Sequence, residues 1–192
     1  THIDTLRTAG SFQDNITHPD RALQFTNVNA GKLGIALDLS KPEARDVAID
    51  LVKWADITTE SFTPKAMRNW GLDYESLQVH KPDLIMSSSC LMGHYGPHAS
   101  LAGYGTMAAA VSGWFHITGW PDRLPCGPFS AYTDYVSPRF LLCSLLAAVE
   151  HRRRTGEGQY IDLSQAEASL QLMAPAVLDY MINGRIMERA GN

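Results

Sequence analysis

The stretch that decides the fold runs Gly34-Ile35-Ala36-Leu37-Asp38-Leu39-Ser40-Lys41-Pro42-Glu43 and continues to Ile57-Thr58-Thr59-Glu60. Its first six residues, apolar except for Asp38, read as a short buried strand. Ser40-Lys41-Pro42-Glu43 has the Ser-x-x-Glu spacing of a capping box, in which the hydroxyl accepts an early helix N–H and the glutamate reaches back. Proline fits the first turn because the N–H it lacks would have no partner there. Ala44, Val47, Ala48, Leu51, Val52 and Ala55 then recur at i, i+3, i+4 and i+7, which makes one apolar stripe on a helix. Ile57-Thr58-Thr59 is β-branched and predicts the next strand. A strand–helix–strand unit over 34–60 implies a parallel pair with a right-handed crossover.

Outward from this unit, a short helix is predicted at 65–70, ended by Gly71, and another at 74–80, capped by Asp73 and stopped before Pro82. Leu84 to Ser89 reads as a third strand. Residues 90–105 carry Gly93, Gly96-Pro97, Gly103 and Gly105, a loop long enough to suggest a task, and 106–112 reads as helix. Residues 117–135, with Gly119, Pro121, Pro125 and Gly127-Pro128, read as loop again. The clearest helix is 138–154: Leu141, Leu142, Leu145, Leu146 and Val149 make its expected buried face, Arg152-Arg153-Arg154 suit its C-terminus, and Gly156 ends it. Gln159 to Leu163 is a strand. Ser164-Gln165-Ala166-Glu167 is a second capping box, opening a helix expected to kink near Pro175. Residues 1–31 are loop-rich, with a turn at His18-Pro19-Asp20. The expected layout is a leading segment (1–31), an α/β body (32–163) and a C-terminal helix leading out of it (164–192). In an open α/β fold, ligands sit beyond the carboxyl ends of the strands.

The 192 residues are 45% hydrophobic and 19% charged, with a net charge of −4. That composition suits a globular domain with a real core. The acidic balance argues against a protein that neutralises many nucleic-acid phosphates. No run approaches the ~20 apolar residues of a membrane span. Cys90, Cys126 and Cys143 are odd in number and far apart, so no disulfide framework is expected and a cytoplasmic setting is the default. The chain starts without methionine and stops at Arg189-Ala190-Gly191-Asn192, just past a helical pattern, so a piece of something longer is expected.

Few residues announce chemistry. Cys90, His94 and His98 could be zinc ligands by type, but Gly93 and Gly96-Pro97 break any helix that would align them, and no metal is expected. Gly103-x-Gly105 lacks the third glycine and the strand–helix setting of a dinucleotide loop. Arg152-Arg153-Arg154 could meet phosphates, but cations facing the negative end of a helix dipole are the simpler explanation. Asp134, in Ser130-Ala131-Tyr132-Thr133-Asp134-Tyr135, is a catalytic candidate or, on spacing alone, a cap or turn residue.

Several segments, in order and spacing, carry a resemblance. They are Asn29-Ala30-Gly31-Lys32-Leu33-Gly34-Ile35-Ala36-Leu37-Asp38-Leu39, Ala55-Asp56-Ile57-Thr58-Thr59-Glu60-Ser61-Phe62-Thr63-Pro64, Trp70-Gly71-Leu72, Gly96-Pro97, the surroundings of Asp134, and Arg154-Thr155-Gly156-Glu157-Gly158-Gln159. Over nearly its whole length the chain resembles the family III CoA transferases, the group of formyl-CoA transferase and carnitine CoA-transferase. The resemblance implies a Rossmann-like, mainly parallel sheet with flanking helices, forming part of a domain in an interlocked homodimer. It implies that Asp134 attacks an acyl-CoA thioester to form a mixed anhydride, and that a small carboxylic acid then accepts the CoA. Covalent catalysis of this kind splits one hard exchange into two easier ones. No permanently bound cofactor is implied; the CoA thioester is a substrate.

By motif, the implied CoA contacts are Leu37, Asp38, Leu39, Ser40, Ser61, Phe62, Thr63 and Asn69, with Tyr104 at the end of the stretch from Leu101. Two departures bear on nucleotide affinity: Ser61 stands where relatives often have asparagine, and Asn69 where some have arginine. The family's first strand and CoA loop would precede Thr1, and its glycine-rich oxyanion loop would follow Asn192. The related 2-methylacyl-CoA racemases pair the aspartate with a histidine in an Ala-Gly-His-Asp segment, matched here by Ala102-Gly103-Tyr104-Gly105. A tyrosine with a pKa near ~10 is a poor base at neutral pH, so transfer is the favoured reading over racemisation. An inactive fragment or interaction module is the third.

Overall fold

A computed structural model describes residues 3–191, and the chain divides into two compact units, Thr1–Asp38 and Leu39–Asn192. In the first, tight turns at Thr5–Arg7, Gln13–Asn15 and Pro19–Arg21 lead into α1 (Leu23–Asn29). An antiparallel bridge joins Phe12 to the fully buried Ala22. Arg7 stacks 3.8 Å from the Phe25 ring centroid and pairs with Asp20 at 2.7 Å. The start of α1 has no side-chain cap, so nothing local announces it in the sequence.

The strand predicted at 34–39 does not form. Residues 32–38 run without regular structure, Leu39 and Ser40 turn, and Leu33 and Ile35 are exposed. An apolar run supplies a strand's side chains. Its backbone N–H and C=O groups still need a neighbouring strand, and the described strand pairings do not include this segment. The parallel crossover exists one step later in the chain.

The second unit begins with α2 (Pro42–Trp54), followed by β1 (Ile57–Glu60), α3 (Pro64–Trp70), α4 (Tyr74–Gln78) and β2 (Ile85–Cys90). Then come α5 (Gly105–Val111), α6 (Trp114–Ile117), α7 (Tyr132–Thr155), β3 (Gln159–Ser164), α8 (Gln165–Leu170) and α9 (Ala174–Asn183). The strands form one parallel sheet in the order β1-β2-β3, with Ile57 opposite Ile85 and Ile85 opposite Gln159. This is the α/β architecture expected of the chain. Central β2 is covered on both faces, as parallel strands are: Ile85, Met86, Ser87 and Ser88 are all buried. Val52, Met67, Leu72, Leu77, Leu84 and Met86 form one core cluster, and Leu91, Ala108 and Ala166 a second.

Several local signals act as read. Asp73 accepts the Ser76 N–H, Ser164 accepts the Glu167 N–H, and Gly71 and Gly156 end α3 and α7 in left-handed conformations. A short 3-10 turn at Gln171–Met173 breaks the helix just before Pro175. Ser40 is not the N-cap residue of α2. Lys41 takes that position without a side-chain bond, and Pro42 is the first helical residue.

The largest correction concerns α7. It begins at Tyr132, not 138, so Pro138 lies inside it and Asp134 sits in its first turn instead of in a loop. Proline reads as a helix start because it lacks an N–H. Inside the helix it leaves the Asp134 carbonyl, four residues back, without a donor and crowds that carbonyl. The expected leucine face is also wrong: Leu142 and Leu146 are exposed, while Thr133, Ser137 and Ala148 are buried. Residues 141–149 are apolar nearly all round, so periodicity could not choose a side. Small residues let the helix approach its neighbours closely, and Ser137 and Ser144 satisfy their hydroxyls on the carbonyls of Thr133 and Phe140. Arg152 anchors the far end, donating to the Asp56 carbonyl at 2.8 Å and lying near the Asp56 and Asp83 carboxylates, which gives this arginine a structural task. Among the described residues, no helix is long and apolar enough to cross a membrane.

Candidate active site

The strands end at Glu60, Cys90 and Ser164, and the residues just beyond them line a cavity of about 460 Å³. Beyond β1 come Ser61, Phe62 and Thr63; β2 supplies Ser89 and Cys90 and continues to Leu91; beyond β3 comes Gln165. A ligand site at the carboxyl edge of a parallel sheet is where the topology places it. Asp134 and Pro138, from the first two turns of α7, and the segment from Leu101 to Tyr104 complete the lining.

Asp134 is held by a specific contact. Its Oδ2 accepts the Gly105 N–H at 3.1 Å, at the first residue of α5. Its place in the first turn of α7 sets the carboxylate against the positive end of that helix dipole. Only glycine fits at 105: a Cβ there would lie 2.6 Å from the Asp134 nitrogen and 2.7 Å from the Ala131 oxygen. The next side chain, the buried Thr133, places Oγ1 3.1 Å from the Gly105 carbonyl and 3.0 Å from Gln165 Oε1. The two helix starts and β3's exit are thus tied together around the aspartate. Sequence patterns alone do not assign Gly105 or Gln165 this role. Glycine's signal is an absence of side chain, and Gln165 is visible in the sequence only as part of a capping box.

Of the nine residues named as CoA contacts, the structure brings Ser61, Phe62, Thr63 and Tyr104 into the cavity with Asp134. Asn69 lines a neighbouring groove of about 450 Å³ with Lys65 and Arg68, and Thr63 and Ala99 border both spaces. Leu37 and Asp38 belong to the first unit and Leu39 and Ser40 to the second. The Leu39 side chain packs on the Val52–Leu77 core. Phe62 is fixed from three sides: its ring meets Trp70 edge-on at 5.1 Å, its N–H donates to Glu60 Oε2 at 2.6 Å, and its carbonyl accepts the Cys90 thiol at 3.7 Å.

Burial, reinforced by the carboxylates of Glu60 and Asp162, pushes the Cys90 thiol up to about 12. It is an uncharged packing group at neutral pH. Cys90, His94 and His98 do not converge as ligands, since His94 is engaged by Tyr160. Among the described residues, no three His, Cys, Asp or Glu side chains are grouped to hold a metal.

The whole chain, residues 1–192, matches the model of CoA-transferase family III. The chain belongs to CoA-transferase family III. It is 36% identical over 171 residues to the succinate–glutarate CoA-transferase of Agrobacterium fabrum, covering 89% of this chain and 43% of that protein. It is 33% identical to the acetyl-CoA:oxalate CoA-transferase of Acetobacter aceti, over all of this chain and 48% of that one. A CaiB/BaiF family protein from Brucella suis has a similar solved structure, with a TM-score of 0.89 and 33% identity over 98% of this chain and 50% of that one. This family III chain spans about half the length of these relatives.

Proposed function

We propose that this family III chain carries the nucleophile and part of the CoA pocket of an enzyme that moves CoA from an acyl-CoA thioester to a carboxylic acid, with Asp134 as the covalent nucleophile. The observation that carries the proposal is the Asp134 carboxylate, tethered through one oxygen to the Gly105 N–H and lining one cavity with the Ser61–Thr63 segment. With Oδ2 held, Oδ1 attacks the thioester carbonyl. The C–S bond breaks, CoA leaves as thiolate, and an aspartyl–acyl mixed anhydride remains. The thiolate then attacks the aspartyl carbonyl, releasing the donor acid and leaving an aspartyl-CoA thioester. The acceptor carboxylate attacks that thioester, and the expelled thiolate takes the acceptor's acyl group from the second anhydride, restoring Asp134. Each activated carbonyl replaces another of similar energy, so no outside energy source is needed.

In this reading, Phe62 and Tyr104 flank the CoA arm, and Lys65 and Arg68 meet its phosphates in the groove beside Asn69. These cations compensate for asparagine at 69. Segment 32–163 is then part of the enzyme's large domain, and 164–192 leads out of it. The enzyme acts as a homodimer in the cytoplasm, and the row of Leu178, Met181 and Ile182 exposed on α9 offers apolar surface for assembly. A racemase is less well supported, because no histidine lines the cavity beside Asp134 among the described residues. To test the nucleophile, the protein is mixed with acyl-CoA, quenched with hydroxylamine or borohydride, and mapped by mass spectrometry. Modification at Asp134, lost in Asp134→Asn, is expected. A label elsewhere, with turnover intact in Asp134→Ala, refutes the proposal. Deuterium entering the α-carbon of a 2-methylacyl-CoA in heavy water, without an acceptor acid, would favour racemisation.

A further inference from the structure

Behind the cavity wall lies a buried polar chain that the reaction above does not use. Glu60, the last residue of β1, has a side chain only 4% exposed, and that of His94 is 10% exposed. Glu60 Oε2 accepts the Phe62 N–H at 2.6 Å, while Glu60 Oε1 and His94 Nε2 face each other at 3.5 Å, both buried and otherwise unpartnered. On the other side of the ring, His94 Nδ1 lies 2.9 Å from Tyr160 Oη, which is 2.8 Å from Ser88 Oγ. The backbone N–H of His94 donates to both oxygens of Asp162, at 3.0 and 2.9 Å, so the loop that carries the ring is itself pinned to β3.

The ring can carry a proton on Nδ1 alone, on Nε2 alone or on both, and burial disfavours the first. If the ring carried its proton on Nδ1, Nε2 would turn a lone pair toward Glu60 Oε1, leaving two buried acceptors opposed, one of them on a carboxylate. That is the costly case for a desolvated polar group. With a proton on Nε2, that nitrogen donates to Glu60, and the other side of the ring is satisfied too: Nδ1 accepts from Tyr160, or, with both nitrogens protonated, donates to Tyr160 while Tyr160 donates to Ser88. Aligned chains of this kind reinforce each other in a low-dielectric interior. Burial also pushes the Tyr160 phenol well above its ordinary value, partly offset by the Ser88 hydrogen bond and reinforced by the charges of Asp162 and Glu60, which keeps it a donor.

We infer that Ser88, Tyr160, His94 and Glu60 form a hydrogen-bonded relay that fixes the Phe62 backbone, making Glu60 and His94 positioning residues for the wall of the candidate CoA cavity. The relay runs across all three strands and terminates on a segment that lines the cavity with Asp134. Glu60 is the hinge of the device, with one oxygen held by the relay and the other holding Phe62. The consequence for CoA rests on the function proposed above; the relay itself does not.

Two measurements test the relay without any substrate. Nitrogen-15 NMR of the His94 ring should show Nε2 protonated, and a ring protonated on Nδ1 alone overturns the inference. Hydrogen exchange at the Phe62 amide should be slow and should accelerate about 10-fold or more in His94→Leu, since a hydrogen bond to a charged group is worth at least that factor. Tyr160→Phe keeps the ring volume and removes one hydroxyl, so it tests the chain even if His94→Leu folds poorly. It should speed Phe62 exchange several-fold. Unchanged Phe62 exchange in folded Tyr160→Phe overturns the inference. In the CoA exchange reaction, the same variant should raise KM for the thioester while kcat stays within about twofold; a fall in kcat alone would also overturn the positioning role. If the NMR and exchange results hold but no CoA binds, the proposed function fails and the relay stands.

Discussion

Replacing Gly105 with alanine adds one methyl group at the tightest point of the candidate site. The new carbon would lie 2.6 Å from the Asp134 nitrogen, 2.7 Å from the Ala131 oxygen and 2.8 Å from Asp134 Cγ. Two of these atoms are backbone at the start of α7, so no rotamer change relieves the clash. Reaching the 3.4 Å at which ordinary contact begins requires the start of α7 and the start of α5 to separate by about 0.8 Å, the difference between 3.4 and 2.6 Å. Such overpacking typically costs about 1–3 kcal/mol. The same movement stretches the 3.1 Å hydrogen bond from Gly105 to Asp134 beyond useful range. A displacement near 1 Å at a reacting group costs on the order of 100-fold in rate. Gly34→Ala is the control: a Cβ at that position would meet nothing within 4 Å, and its φ is unexceptional, so a change within about 1 kcal/mol is expected. Urea unfolding of both variants gives the stability difference, and CoA exchange between a thioester and a free acid gives the rate. If Gly105→Ala matches the parent protein in both, the close approach of the two helix starts is not what holds Asp134.

Leu77 is 1% exposed in the core whereas Leu142 is 57% exposed on α7. Leu77→Ala should therefore cost about 2–5 kcal/mol and Leu142→Ala under about 1 kcal/mol in chemical unfolding; equal costs would contradict the burial of α7's small-residue face. Arg68→Ala should weaken CoA binding about 10-fold by calorimetry and flatten its salt dependence, as loss of a phosphate-facing cation does, and unchanged affinity would place the phosphates elsewhere. With its thiol near 12, Cys90 holds roughly three orders of magnitude less thiolate at pH 8 than an ordinary thiol of 9.0. Iodoacetamide should label the exposed Cys126 and Cys143 first, and fast labelling of Cys90 would contradict its burial. Because this value is raised above the ordinary 9.0, the associated stability is complete below about pH 9 and is lost as pH climbs toward 12, which a pH series of unfolding midpoints would follow.

The parts of the fold written by short-range chemistry were legible in the residues. The caps at Asp73 and Ser164, the stops at Gly71 and Gly156, and the β-branched and apolar runs of β1, β2 and β3 each act over a few residues, and they determined where those elements lie. The ordered motifs likewise carried the family and the nomination of Asp134, whose own spacing favoured a cap or turn residue. What the tertiary structure decided are the questions that need a distant partner. Residues 34–39 have a strand's composition but pair with none of the described strands, and α7 could turn either of two apolar sides inward until small buried residues permitted close packing. Asp134 meets Gly105 across 29 residues, and His94 meets Tyr160 across 66. No local propensity reports such meetings, because hydrogen bonds between remote segments form only when the sheet and its helices bring their ends to one edge.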